Sequence, residues 1–166
     1  MREPVRDRER LEHIKEAIER IQSNMKEVSL DNISNNVLAY YGIVKNIEII
    51  GEAAYNLTNA FRKSHTETPW KDVMSMRNIL VHDYYRIKES QIRYVIEDEL
   101  APLLEQVNRY LAETDWANWE KNEQANVETA VHKSLKQTAW RMKNKGYDLK
   151  EIMSITGLTA EEIEAL

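Results

Sequence analysis

Arg77 and His82 are the two residues of this sequence whose types and spacing most clearly suggest chemistry. A histidine near its ordinary pKa of about 6.5 can take a proton from a hydroxyl or give one to a leaving oxygen. An arginine offers a planar set of N–H donors to a phosphate whose negative charge grows during a reaction. The pair therefore suits cleavage of a phosphodiester in RNA, and we expect neither a metal ion nor another cofactor.

The surroundings of Arg77 are unusual for a charged residue. It shares a predicted helix face with three apolar residues at spacings of 3, 4 and 3, namely Trp70, Val73 and Leu80. A guanidinium in that position is partly buried and needs partners. In a continuous helix, five residues turn through about 140°, so Arg77 and His82 would diverge. Either the helix loosens before His82, or the site forms across a two-fold dimer interface.

Long amphipathic segments surround this short run. Apolar residues at helical spacing predict a first helix over Leu11–Val28 and a second, of about eight turns, over Ile33–Phe61. A further helix is predicted over Ile92–Tyr110, where Pro102 is expected to bend it. With the helix that carries Arg77, these segments predict an all-α fold, an antiparallel four-helix bundle.

The start and the end of the chemistry-bearing helix are also marked. Thr68 followed by Pro69 predicts a helix over 70–81, with Thr68 as the N-cap and Pro69 in the first turn. Asp83, Tyr84 and Tyr85 then form a predicted corner. Glu52, on the second helix, is either a partner of Arg77 or a structural or dimer contact.

Beyond residue 112 the sequence becomes more polar, which predicts two domains: a bundle over 1–112 and a helical C-terminal extension over 113–166. Gly146 is the expected C-cap of a polar helix. Two short helices follow, each opened by a capping-box pattern, Asp148-x-x-Glu151 and Thr159-x-x-Glu162.

Composition limits the classes of function. The chain has no cysteine, which excludes disulfides and thiolate chemistry and favours a reducing cytoplasm. No apolar run approaches the roughly 18 residues of a membrane span. The net charge of -5 argues against a surface that binds nucleic acid throughout. Basic residues are nevertheless concentrated, without any acid, between Val131 and Tyr147: Lys133, Lys136, Arg141, Lys143 and Lys145.

Two segments carry a resemblance to a known family. The run Met76-Arg77-Asn78-Ile79-Leu80-Val81-His82-Asp83-Tyr84-Tyr85, preceded by Pro69-Trp70, is similar to the Arg-polar-x3-His motif of HEPN ribonucleases, and most similar to the HepT subfamily. The Ile49–Ala54 segment is similar to a second recurrent segment of that subfamily. The resemblance covers about residues 8–112, in order and spacing.

The resemblance implies roles for particular residues. Arg77 and His82 would be the catalytic pair of an endoribonuclease toxin, and Asn78 its polar assistant. Tyr84 would be the hydroxyl to which a partner antitoxin, a nucleotidyltransferase of the MNT type, transfers AMP; Tyr85 is the alternative, although motif spacing favours Tyr84. The family also implies a homodimer and a type VII (HEPN/MNT) toxin–antitoxin system.

Other interpretations remain open beside this one. The chain could be a non-catalytic HEPN binding or dimerisation module, with Arg77 in an interface ion pair and His82 as a helix C-cap. Candidate RNA contacts are Arg86, Lys133, Lys136 and Arg141. The other histidines, His13, His65 and His132, are expected to be solvated.

The extension has a resemblance of its own. Its last segment, from Leu149 to Ile163, resembles the short tail of some transposase-associated (Rpn-type) nucleases. Reading it as a helix-turn-helix would bring Glu161, Glu162 and Glu164 against DNA phosphates, which carry the same sign of charge. DNA binding is therefore not expected.

Overall fold

The computed structural model describes residues 6–26, 28, 33, 35–82 and 89–166, and over residues 77–82 it describes the backbone. Every regular element in these ranges is helical, which confirms the all-α prediction. The chain forms two compact units, Met1–Trp116 and Ala117–Leu166, called here the N-terminal and the C-terminal unit. No helix in the described part of the chain is long and apolar enough to cross a membrane.

The N-terminal unit is a bundle around one aliphatic core. Its α-helices are α1 (Asp7–Asn24), α2 (Val37–Tyr55), α3 (Asn59–Ser64), α4 (Trp70–His82), α5 (Glu89–Tyr94) and α6 (Leu100–Glu113). Helix α1 packs against α2 and α6, and α2 packs against α4. The core side chains with almost no exposure include Leu11, Ile14, Ile18, Ile21, Ile43, Ile47, Ile50, Phe61, Leu100 and Val107. Helix α4 joins this core through its own buried residues, Trp70 and Val73.

The predicted length of the second helix is wrong, because the structure has two helices in its place. Helix α2 ends at Tyr55, and Thr58 begins α3 as its N-cap, accepting a bond from the backbone N–H of Phe61 at 3.1 Å. The carboxylate of Asp7, fully buried, accepts bonds from the backbone N–H and the hydroxyl of Thr58, both at 2.7 Å. These bonds to a buried charge are stronger than neutral ones and fix a break that the apolar periodicity does not reveal.

Arg62 stabilises the same break from the other side. Its Nη1 donates to the carbonyl oxygens of Ala54, Tyr55 and Leu57, which lie at and just after the end of α2. A cation at a helix C-terminus satisfies carbonyls that lack helical partners and interacts favourably with the helix dipole.

A π-helical turn lies just ahead of Pro102, where a bend is predicted. Residues Val95–Glu99 are π-helical between α5 and α6, and the N–H of Leu100 donates to the carbonyl of Val95. Proline has no N–H for the carbonyl four residues earlier, which belongs to Asp98, and its ring crowds that carbonyl. Widening the turn ahead of Pro102 accommodates both effects.

The C-terminal unit is built from α7 (Trp116–Asn144), α8 (Leu149–Thr156) and α9 (Ala160–Glu164). The first residue of α7, Trp116, still belongs to the N-terminal unit. The small core of the C-terminal unit consists of Ala139, Ile152, Leu158 and Ile163. The predicted cap at Gly146 (φ +80°) is confirmed, and Gly157 (φ +69°) ends α8 in the left-handed conformation that favours glycine.

Side-chain caps begin both short helices of this unit, but the predicted capping box is present only at Thr159 and not at Asp148. The side chain of Asp148 accepts from the N–H of Lys150 at 3.1 Å. Thr159 and Glu162 form a complete capping box, in which each side chain binds the backbone of the other residue. Such reciprocal bonds satisfy two N–H groups that have no helical partner.

Candidate functional site

The first half of α4 is firmly anchored in the N-terminal unit. Trp70 is 5% exposed, and its Nε1 donates to the carbonyl of His65 at 2.8 Å. Its ring lies edge-on to Phe61 and tilted against Tyr110, each at 6.2 Å between centroids. Val73, one turn further on, is also buried. Buried tryptophan fixes the direction in which the helix leaves this cluster, because both its ring and its N–H are engaged.

The start of α4 differs from the predicted one. The hydroxyl of Thr68 does not cap the helix: it donates to Gln106 Oε1 at 2.7 Å and lies 2.6 Å from the hydroxyl of Tyr110. The carbonyl of Pro69 accepts the N–H of Asp72 and of Val73. Thr68 is 2% exposed, so its hydroxyl binds the polar groups that α6 places beside it. This bond ties the beginning of the chemistry-bearing helix to α6.

Three predicted site residues, Arg77, Asn78 and His82, belong to α4, whose backbone is helical through His82. The alternative in which the helix loosens before His82 is therefore wrong. In this helix, positions 77 and 82 are about 140° apart around the axis. One copy of α4 does not bring them onto the same face.

The other predicted site residues fall elsewhere. Tyr84 and Arg86 lie outside the described residues, as does the predicted corner at Asp83–Tyr85. Lys133, Lys136 and Arg141 are on α7, in the C-terminal unit.

Glu52 lies on α2 in a small groove of about 130 Å³, which Arg10, His13 and Lys45 also line. Its carboxylate accepts from the side-chain amide of Asn56 at 2.9 Å. The groove thus combines cations with a carboxylate next to the family-like segment of α2. This placement is compatible with a structural or dimer contact for Glu52.

The expectation that His65 is solvated is wrong. Its ring stacks on Phe61 at 4.1 Å and lies 4.4 Å from the ring of Tyr110, so it closes the aromatic cluster that anchors Trp70. Nearby, Glu67 pairs with Arg109 at 2.9 Å, and burial raises the pKa of the Tyr110 hydroxyl. The spacing of four residues from Phe61 to His65 is the sequence signal that could have indicated a shared helix face.

A metal-centred site has no support in the described residues. Within them, no three His, Asp or Glu side chains are grouped closely enough to hold an ion.

Comparison with known proteins places the N-terminal unit in a family. A family model described as Ribonuclease HepT-like matches residues 14–110. A protein of Caldanaerobacter subterraneus subsp. tengcongensis named as a candidate RNase is 34% identical over 101 residues, which are 61% of this chain and 90% of that relative. The "Probable ribonuclease HepT" of Thermococcus cleftensis is 30% identical over 93 residues, 56% of this chain and 84% of the relative.

A longer relative contains the same region beside another activity. A Methanocaldococcus jannaschii protein, named as a gamma-glutamylcyclotransferase and candidate RNase, is 32% identical over 105 residues, 63% of this chain and 47% of that protein. No solved structure matches the chain significantly. The matched family region covers more than half of the sequence and includes α4 with Arg77, Asn78 and His82. The chain therefore belongs to the HepT-like ribonuclease family.

Proposed function

We propose that this chain is a metal-independent endoribonuclease, the toxin of a type VII (HEPN/MNT) toxin–antitoxin system acting in the cytoplasm. Arg77 and His82 carry the reaction, and Asn78 assists them. The observation that supports this most is the Arg-Asn-x3-His sequence on α4, inside the region that matches the HepT-like family.

The proposed reaction is an attack of the ribose 2′-oxygen on the adjacent phosphorus. The new bond joins the 2′-oxygen to phosphorus, and the bond from phosphorus to the 5′-oxygen of the next nucleotide breaks. The proton of the 2′-OH passes to a neutral imidazole, and an imidazolium returns a proton to the 5′-oxygen. Arg77 stabilises the negative charge that builds on the phosphate oxygens. Within the cleft one His82 serves both transfers, because the imidazolium formed by the first transfer supplies the proton for the second.

A homodimer with a shared cleft is part of the proposal. Positions 77 and 82 diverge on a continuous helix, so Arg77 of one copy and His82 of the other are the pair that can converge. Helix α2, which packs against α4, also leaves large apolar side chains near its start in solvent: Val37 is 59%, Leu38 87% and Tyr41 63% exposed. A cluster of exposed apolar residues is the expected property of a surface that binds another chain.

The proposed off-switch is transfer of AMP to Tyr84 by an MNT-type nucleotidyltransferase partner. The hydroxyl of Tyr84 is two residues from His82, so AMP there adds bulk and negative charge where the RNA phosphate binds. After co-expression with that enzyme, intact mass measurement should show one added AMP on wild type and on Tyr85→Phe, and none on Tyr84→Phe. Addition of AMP to Tyr84→Phe would refute the assignment.

Cleavage of a fluorophore-quencher RNA by purified protein tests the catalytic assignment. His82→Ala should lower the rate by at least about 10²-fold, the usual contribution of a positioned acid or base. His13→Ala is the matched control, because it removes a histidine of α1 and should cleave like wild type. Equal rates for His82→Ala and wild type would overturn the assignment. No cleavage by wild type would favour the non-catalytic binding module.

A further inference from the structure

The C-terminal unit carries a groove whose chemistry the reaction at α4 does not use. The groove is about 570 Å³ in volume and runs along the second half of α7. The lining residues that matter here are His132, Lys133, Lys136, Trp140 and Arg141. We propose that this groove binds single-stranded RNA, as an accessory site that holds the substrate of the ribonuclease. The choice of RNA as occupant rests on the proposed function.

The groove offers positive charge that the described carboxylates offset only in part. Lys133, Lys136 and Arg141 form no ion pair with any described residue. They belong to the stretch between Val131 and Tyr147, which contains no acidic residue. From the first to the last of them the helix rises about 12 Å, enough to meet more than one phosphate of an extended strand.

One carboxylate lies close to these cations, and it is already engaged. Glu162 is 3.1 Å from His132 Nε2, and its other oxygen accepts the backbone N–H of Thr159 within the capping box. Lys136 acts on it through charge and helps to lower its pKa, after the larger effect of the Thr159 backbone bond. Glu162 therefore offsets part of the charge of Lys136 and leaves Lys133 and Arg141 free to bind an anion.

Trp140 supplies the second feature that single-stranded nucleic acid requires. Its indole is 53% exposed, although its neighbour Ala139 is fully buried in the core of the unit. Trp140 follows Lys136 by one helical turn, so a ring and a cation occupy the same face. An exposed aromatic ring beside cations is the arrangement on which unpaired bases stack while their phosphates are bound.

This pairing of ring and charge favours RNA over other anions. An acidic peptide would be attracted by the three cations but would gain little from the face of an exposed indole. A nucleic acid strand uses both, and stacking of one base contributes about tenfold or more in affinity. Single-stranded RNA is also the class of molecule that a ribonuclease of this family meets during its reaction.

The test measures binding of a fluorescein-labelled, 20-nucleotide uridine RNA to the full chain by fluorescence anisotropy. All proteins carry His82→Ala, so that the probe is not cut and binding is separated from cleavage. Trp140→Ala should weaken binding about tenfold. The triple variant Lys133→Gln, Lys136→Gln and Arg141→Gln should also reduce the slope of log affinity against log salt by about two, since each phosphate contact on a single strand contributes about 0.7.

Matched controls separate the groove from net charge and from exposed aromatic residues in general. Lys121→Gln, Lys145→Gln and Lys150→Gln remove three cations of the same unit that do not line the groove. Tyr147→Ala removes another exposed ring of that unit. Both controls should bind RNA like the parent protein, and circular dichroism should show equal helicity in every variant.

Three results would overturn the proposal. The first is unchanged RNA binding in both groove variants, and the second is an equal loss of RNA affinity in the lysine control. The third is a Trp140→Ala variant that loses affinity for phosphatidylserine vesicles or polyglutamate but keeps its affinity for RNA. The outcome does not depend on the catalytic assignment. If wild type failed to cleave RNA while the groove variants still lost affinity, the proposed function would fail and the RNA-binding groove would stand.

Discussion

The N-terminal and C-terminal units are stabilised by contacts that differ in how far apart the contacting residues are in the sequence. The N-terminal unit buries long aliphatic stripes, and its decisive polar contact joins Asp7 to Thr58, 51 residues apart in sequence. The C-terminal unit has a core of four buried residues, and its polar contacts include a capping box that spans three residues. Contacts between residues far apart in sequence therefore stabilise the N-terminal unit, whereas local capping contributes a larger share of the stability of the C-terminal unit.

The same division separates the region that matches the family from the region that does not. The family match ends at residue 110, and in the Caldanaerobacter relative only about a tenth of the protein lies outside the aligned region. The C-terminal unit is thus an addition to the ribonuclease region. The proposed chemistry at α4 lies inside the matched region, and the proposed RNA-binding groove lies outside it.

Phe61→Ala should produce the largest loss of stability and should affect the N-terminal unit as a whole. Phe61 has no exposure and contacts His65, Trp70, Tyr110 and Trp116 through ring packing. Removing a buried phenyl ring costs about 4 kcal/mol. Denaturant unfolding measures the change, and RNA cleavage should fall with it because α4 loses its anchor. A loss below about 1 kcal/mol would contradict the central position of this cluster.

Ile152→Ala should be nearly as costly but should remain confined to the C-terminal unit. Ile152 is 1% exposed in a core of only four buried residues, and loss of its side chain costs about 3 kcal/mol. Hydrogen exchange should show faster exchange in α8 and α9, with unchanged rates in α1 and α2. The matched control is Ile155→Ala on the same helix, where the side chain is 59% exposed. Loss of cleavage by Ile152→Ala would show that the two units depend on each other.

Thr159→Ala should cost about 1 kcal/mol, the usual contribution of an N-cap hydroxyl. The substitution removes the bond from the N–H of Glu162 and opens the capping box of α9. Thr138→Ala is the control, because that hydroxyl lies within α7 and binds a carbonyl of its own helix. If both substitutions had the same effect, local capping would not be what stabilises the C-terminal unit.

The smallest expected effect is a loss of stability in acid that depends on Glu162. Its pKa is lowered from the ordinary 4.5, first by the backbone bond from Thr159. A group whose pKa is lowered by folding stabilises the fold above its ordinary pKa, and this contribution disappears as the pH falls through the folded pKa. Melting of the C-terminal unit should therefore shift downwards below about pH 4.5, and less so in Glu162→Gln. Equal acid dependence in the two proteins would contradict the role of this carboxylate.

Sequence patterns predicted those features that depend on neighbouring residues. The all-α class, the helix that carries Arg77, the cap at Gly146 and the box at Thr159 are all local in origin. The apolar pattern does not reveal the break between α2 and α3, because that break is fixed by a buried carboxylate on α1. The altered role of Thr68 was missed for the same reason, since its hydroxyl binds α6.

The candidate site shows the same limit. The types and spacing of Arg77 and His82 predict the chemistry, and the continuous helix through His82 excludes one of the two ways to bring them together. What remains is the proposed contact between two copies of the chain. Periodicity within one chain identifies an exposed or charged face, but it does not identify the surface that covers it.

Mixing two inactive variants tests whether the cleft is made from Arg77 of one copy and His82 of the other. Arg77→Ala and His82→Ala are each purified, combined in equal amounts, unfolded and refolded together, and assayed for RNA cleavage. Random pairing makes half of the dimers mixed, and each mixed dimer keeps one of the two Arg77–His82 pairs that line the shared cleft. A shared cleft should restore about a quarter of wild-type activity. Activity no higher than that of either variant alone would contradict it.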